Sequence, residues 1–183
     1  MGAVVAITGK FRLGPDNGRV ILRTSRAGLA ALAGHDLTLE VTRWSAEVEL
    51  PDEEAGGVTA ATVTAELDLG SLSVPSRTDR DRGEIKKTIS GILGDGGASF
   101  TSSRIVRTGA SGGAIEGTLI IKGRSQPARL QVSAPAPGRY RGSATVLQSA
   151  YGIKPYVGFF GALKLRDEVG VEFEVDLTKS ESG

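Results

Sequence analysis

The chain has 183 residues, enough for one domain with a sizeable core or an enclosed cavity. Its 22 Lys and Arg against 21 Asp and Glu leave a net charge of +1, which gives no reason to expect nucleic acid as a partner. Cysteine is absent, excluding disulfides, thiolate metal sites and a cysteine nucleophile, and a single histidine leaves most metal sites and triads without their ligands.

Near the N-terminus the apolar run Ala3 to Ile7 has no basic residue before it and is too short for a signal sequence or a membrane span. If Met1 is the natural start, the expected location is the cytoplasm, with no transmembrane segment. Lys10 to Leu13 and Arg19 to Arg26 read as strands flanking a turn at Asn17-Gly18. Ala27 to Ala33 changes period and reads as a short helix ended by Gly34. His35 and Asp36 then lead into a long strand to Leu50. Its apolar face is odd-numbered at Leu37, Leu39 and Val41 and even-numbered at Trp44, Ala46, Val48 and Leu50. That switch of parity predicts a bulge or sharp bend near Arg43.

Val58 to Leu69 reads as a long strand, with Ala61, Val63, Ala65, Leu67 and Leu69 inward. Asp79 to Leu93 carries the one strong helical stripe, Ile85, Ile89, Ile92 and Leu93, with acidic residues early. Asp95-Gly96-Gly97 lacks a P-loop or GxGxxG spacing and reads as a turn. Strands follow at Ser99–Arg107, Ile115–Lys122, Gln126–Ala134, Arg139–Gln148, Leu163–Leu165 and Val169–Leu177. About eight strands joined by short turns, with one main α-helix, predict an all-β fold: an antiparallel, up-and-down, eight-stranded barrel forming a single domain over residues 1–183.

The stretch Ser149 to Leu165 departs from this alternation. Four of the nine aromatic residues, Tyr151, Tyr156, Phe159 and Phe160, fall in it, punctuated by Gly152, Pro155, Gly158 and Gly161. Such a segment either plugs a barrel end or lines a pocket there, and Lys154 adds a cation. Small inward residues, Ala61, Ala65, Gly117, Ala128, Gly142 and Ala144, leave volume inside or suit a tapering, packed barrel. His35-Asp36 reads as a turn or cap element, or as an acid-base pair. The residues show no paired-carboxylate, zinc or nucleotide motif.

Three groups of residues carry a resemblance. The first is Gly9-Lys10-Phe11-Arg12-Leu13 with Asn17-Gly18-Arg19-Val20. The second runs from Gly117 to Pro127, GTLIIKGRSQP. The third is Tyr151-Gly152-Ile153-Lys154-Pro155, then Gly161 to Asp167 and Val171-Glu172-Phe173. In this order the chain resembles the YceI-like family of polyisoprenoid-binding proteins, which have a lipocalin-like barrel. It departs from the family pattern in the helix region, where Lys86, Lys87 and isoleucines replace a His and a Phe-Phe pair, and, if Met1 is the natural start, in an expected absence of a leader.

The resemblance implies a long isoprenoid lipid in an interior apolar cavity, carried or sequestered with no covalent step and no cofactor or metal. The candidate ligand-binding residues are then Leu22, Leu39, Val41, Arg43, Trp44, Val63, Leu67, Phe100, Leu119, Ile121, Val146, Tyr151, Lys154, Tyr156, Phe159, Phe160 and Phe173. Of these, Lys154, Tyr156 and Arg43 are candidates to meet a polar head group. Two alternatives stay open: an enzyme on an apolar substrate using His35 and Asp36, and a filled barrel whose surface binds proteins. A homodimer is compatible with each.

Overall fold

The computed structural model describes residues 7–27, 37–74, 96–158 and 163–180, together with Gly83, Lys87 and Gly91. Among them twelve strands form one curled antiparallel sheet. They are β1 (Gly9–Leu13), β2 (Gly18–Ala27), β3 (Leu37–Val41), β4 (Trp44–Leu50), β5 (Thr62–Asp68), β6 (Leu72–Ser73), β7 (Gly97–Arg107), β8 (Gly112–Ile121), β9 (Arg124–Ala136), β10 (Arg139–Leu147), β11 (Val157–Gly158) and β12 (Leu163–Asp176). The expected all-β, lipocalin-like barrel class holds. The count of eight is too low: the long strand expected to end at Leu50 divides into β3 and β4, and the two-residue strands β6 and β11 fall where no strand is expected.

The hydrogen-bonded order is β1-β4-β5-β7-β8-β9-β10-β12-β2-β3-β6, with β11 on β12. The two ends of this path meet at a seam, where, among the described residues, the chain itself crosses three times, from β1 to β2, β3 to β4 and β5 to β6. The parity switch near Arg43 is one of these crossings. Thr42 and Arg43 separate β3, which pairs with β2 and β6, from β4, which pairs with β1 and β5. The turn Gly14–Asn17 is another. It is closed by the Asn17 N–H on the Gly14 carbonyl at 3.1 Å, and the Asn17 side chain accepts from the Gly14 N–H at 2.8 Å. β1 and β2 do not pair with each other, so the expected opening hairpin is instead a corner of the barrel.

Other differences are local. Gly57–Ala60 is a 3-10 turn and β5 begins at Thr62, so the strand expected from Val58 to Leu69 is shorter. The β8–β9 turn is Lys122-Gly123, with φ of 52° and 73°, a left-handed pair whose twist matches the flanking strands. Ala27 ends β2, and the rest of the helix expected after it lies outside the described residues. Of the helix expected over Asp79–Leu93, Gly83, Lys87 and Gly91 are described. Each is helical and exposed, four residues apart on one face.

Apolar side chains of alternating strands gather inside in three clusters. One holds Phe11, Leu13, Ala46, Leu50 and Leu177, near the end where β9 turns into β10. A second, Val20, Leu39, Val41, Leu72 and Val74, lies along the seam, and Trp44 packs against both it and the first. The third joins Leu69, Ala98 and Ile121 to Tyr151 and Ile153 at the opposite end. Outside, charged residues alternate with these and pair across strands, as in Arg141–Glu174 at 2.8 Å and Arg23–Glu172 at 3.0 Å. Such exposed pairs contribute about 0–1 kcal/mol each.

Candidate functional site

Inward residues of nearly every strand enclose a cavity of about 1130 Å³. Drug-sized ligands occupy pockets of about 300–1,000 Å³, so this volume suits a larger ligand. Aliphatic and aromatic side chains dominate the wall. The charged side chains among the described lining residues are Glu53, Arg107 and Arg129, all exposed to solvent. Among the described residues no buried charge lines the cavity, whereas hydrocarbon meets a matching surface.

Strand register explains how the wall is built. In β5, β7 and β8 the pairs Leu67–Ala98, Ala65–Phe100, Phe100–Leu119 and Ala98–Ile121 put these side chains on one face. Leu22, Leu39 and Trp44 supply the wall beside the seam, and Val63, Val146 and Phe173 extend it. Of the candidate residues, Leu22, Leu39, Trp44, Val63, Leu67, Phe100, Leu119, Ile121, Val146, Tyr151, Tyr156 and Phe173 thus lie on the cavity. Val41 is 1% exposed within the seam cluster and does not reach it.

Arg43 and Lys154 are exposed and also stand off the wall. The Arg43 guanidinium is engaged with Asp68, Nη2 lying 2.7 Å and Nε 2.9 Å from Oδ2. That hydrogen bond holds the Asp68 carboxyl below its ordinary value. The pair belongs to the seam, where the Asp68 N–H donates to the Arg43 carbonyl at 3.0 Å and Ser71 Oγ accepts from the Arg43 N–H at 2.9 Å. Phe159, Phe160, His35 and Asp36 lie outside the described residues.

The aromatic stretch begins with a 3-10 turn, Gln148–Tyr151, ended by Gly152 at φ 72°. Asp167 holds this turn from β12, accepting from the Ser149 N–H at 2.7 Å and from its hydroxyl. Tyr151 is 4% and Ile153 6% exposed, and both pack onto Leu69, Ala98 and Ile121, covering that end of the barrel. Burial pushes the Tyr151 hydroxyl above its ordinary value.

The small inward residues divide into two kinds. Ala61, Ala65, Ala128 and Ala144 line the cavity and leave volume there. At Gly117 and Gly142 the space is taken. A Cβ on Gly117 would come 2.7 Å from the Phe100 ring and 2.2 Å from the Thr101 carbonyl oxygen, and one on Gly142 would come 2.1 Å from the Phe173 ring. These glycines let two aromatic rings lie flat on the wall, which composition does not reveal.

The sequence signature can now be set beside known proteins. The YceI-like domain matches residues 12–177, almost the whole barrel. The chain belongs to the YceI-like family. No curated protein sequence matches it. Among solved structures, this YceI-like chain is similar to BcnA of Burkholderia cenocepacia at 17% identity and a TM-score of 0.66, over 86% of this chain and 94% of that one. It is also similar to a polyisoprenoid-binding domain from Saccharophagus degradans implicated in plant cell wall breakdown, at 14% identity and a TM-score of 0.55, over 93% and 99% of the two chains. The Campylobacter jejuni YceI protein matches at 13% identity and a TM-score of 0.58, over 86% and 92%. At these identities the likeness is one of fold.

Proposed function

We propose that the protein binds a long apolar lipid of the polyisoprenoid class inside its barrel and carries or sequesters it without a covalent step. The observation that carries this reading is the apolar cavity of about 1130 Å³, whose described charged residues are all exposed. Family membership and the polyisoprenoid-binding domain of Saccharophagus degradans among the similar structures support the ligand class. A filled barrel is the weaker reading, since a wall enclosing this volume is not packed against itself.

The energetics favour a long chain. Each buried CH₂ contributes about 0.8 kcal/mol, so some 20 carbons contribute roughly 16 kcal/mol before association costs of about 4–15 kcal/mol. Short chains would not offset that cost. Leu22, Leu67, Phe100, Leu119 and Phe173 are the side chains we assign to the hydrocarbon.

Extraction of the purified protein with organic solvent, followed by mass spectrometry, tests the reading. A prenyl lipid in stoichiometric amount is expected. Ala65→Phe places a ring in the cavity and should cut the recovered lipid by about tenfold or more, with the melting temperature kept. If no prenyl lipid co-purifies and an added C20 prenol fails to bind, the reading is wrong.

A further inference from the structure

One stretch of the cavity wall is set apart by its strand pairing, away from both the aromatic plug and the seam. A strand shows alternate residues to a cavity behind it. Consecutive residues line this cavity at the end where β7 turns into β8, with Ile105 to Arg107, Gly112 to Ile115 and, beside them, Val132 to Ala134. They do so again further along, with Pro127, Ala128, Arg129 and Leu130 on β9 and, facing them, Ala144 to Leu147 on β10.

The second place coincides with a break in the pairing. β9 and β10 pair near their shared turn, through Arg141–Ser133, Gly142–Val132 and Ser143–Gln131, and the register stops there. Each continues with its other neighbour: β10 pairs with β12 as far as Leu147–Glu168, and β9 with β8 as far as Arg124–Ile121. A slot therefore opens in the side of the barrel, with Leu147, 46% exposed, on its lip. The 3-10 turn bounds its far end, where Gln126 Nε2 donates to the Ala150 carbonyl at 3.1 Å.

Pro127 accounts for part of this. It sits opposite Thr118 in an unbroken β8–β9 register although it has no N–H. A proline is tolerated in that ladder only where its nitrogen points away from the partner, here toward β10. Backbone groups alternate in direction, so Arg129 on the same strand also turns its N–H and carbonyl to the slot. Thr145 and Leu147 do the same from β10, following the Ser143–Gln131 pair.

We infer that the slot between β9 and β10 is the side door through which the apolar ligand loads and leaves, its polar end resting among the backbone groups of Arg129, Thr145 and Leu147. The inference rests on the lipid-binding reading for the ligand and on the strand pairing for the route. A polar end drawn fully into the cavity without partners would cost about 2–7 kcal/mol. The slot offers donors and acceptors next to the apolar wall, so the tail is buried while its end stays solvated.

The absence of cysteine makes a clean test available. Arg129→Cys with Thr145→Cys puts two thiols on opposite sides of the slot, on the outward face, and a short bis-maleimide applied after folding bridges them. Loading of an environment-sensitive apolar fluorophore is followed by stopped flow in the bridged protein and in the two single-cysteine proteins capped with a monofunctional maleimide. Bridging is expected to slow loading and release by about tenfold or more relative to the capped proteins, as closing a gate does. Equal rates in bridged and capped proteins would overturn the side door. So would a fluorophore that never enters the unbridged protein. Displacement by a C20 prenol is read separately: its failure, with the bridging effect intact, removes the prenyl reading and leaves the door.

Discussion

Two interruptions of the ladder around this barrel, the seam and the slot, are built in opposite ways. At the seam the two ends of the path are joined by three covalent crossings, by backbone bonds among Thr42, Arg43, Asp68 and Ser71, and by Trp44 bridging two apolar clusters. At the slot, β9 and β10 part after Ser143–Gln131 with one side-chain bond, from Gln126 to Ala150, across the far end. The seam is a closure and the slot an opening. Cavity-lining residues show the same contrast: Leu39 beside the seam lines with one face of its strand, while β9 and β10 line with both.

The largest expected effect separates the two by truncation. Trp44 covers Gly18, where an added Cβ would come 3.0 Å from the indole, and it contacts both apolar clusters. Trp44→Ala should cost about 3 kcal/mol, the lower end for an aromatic residue because Trp44 is half-buried. Leu147→Ala, on the slot lip, should cost under about 1 kcal/mol, as a half-exposed side chain does. Urea denaturation of both variants gives the comparison, and equal losses would mean that the slot is as much a structural joint as the seam.

A smaller effect isolates the polar stitching. Ser71 is 6% exposed, and its hydroxyl donates to the Asp68 carbonyl at 2.7 Å while accepting from the Arg43 N–H. Ser71→Ala leaves that N–H without its acceptor in a partly buried place. A loss of about 1–3 kcal/mol is expected by the same denaturation. A change within about 0.5 kcal/mol, the range of ordinary surface substitutions, would show that the covalent crossings hold the seam without the hydroxyl.

How far these features can be read from sequence differs for local and long-range causes. The bend at Thr42–Arg43 is legible because a parity switch is written in consecutive side chains. Inward positions such as Leu67, Phe100 and Phe173 are legible for the same reason, and the quoted YceI-like signatures identify the family. The partner of a strand is another matter. Asn17-Gly18 dictates a turn, yet whether the strands it joins pair with each other depends on β4 and β12, far along the chain. Gly117 and Gly142 look like free volume because the rings that cover them sit on neighbouring strands. Arg43 looks like a free cation because Asp68 is 25 residues away. The slot left one trace, a proline inside a strand, which the turn-like GRSQP context disguised.

The smallest effect concerns that proline. Pro127→Val returns an N–H to β9 on the slot side, directed at the position that Leu147 would occupy if the Ser143–Gln131 register continued. Valine also favours the strand. The pairs in between, at Leu130, Arg129 and Ala128, must zip as well, so one added donor should gain no more than about 1 kcal/mol. Access to the cavity responds more directly than stability, because it depends on how often the strands part. Fluorophore loading is expected to slow about twofold, matching a shift of roughly 0.4 kcal/mol toward the paired form. Amide exchange of Arg129 and Thr145 should slow with it if the slot has narrowed. Unchanged loading with unchanged exchange would move the cause of the splay from Pro127 to the 3-10 turn, whose Ala150 carbonyl anchors Gln126 and sets the distance between the two strands at the far end. In that case the gate is held open by a wedge, and Gln126→Ala rather than Pro127→Val is the substitution that relaxes it.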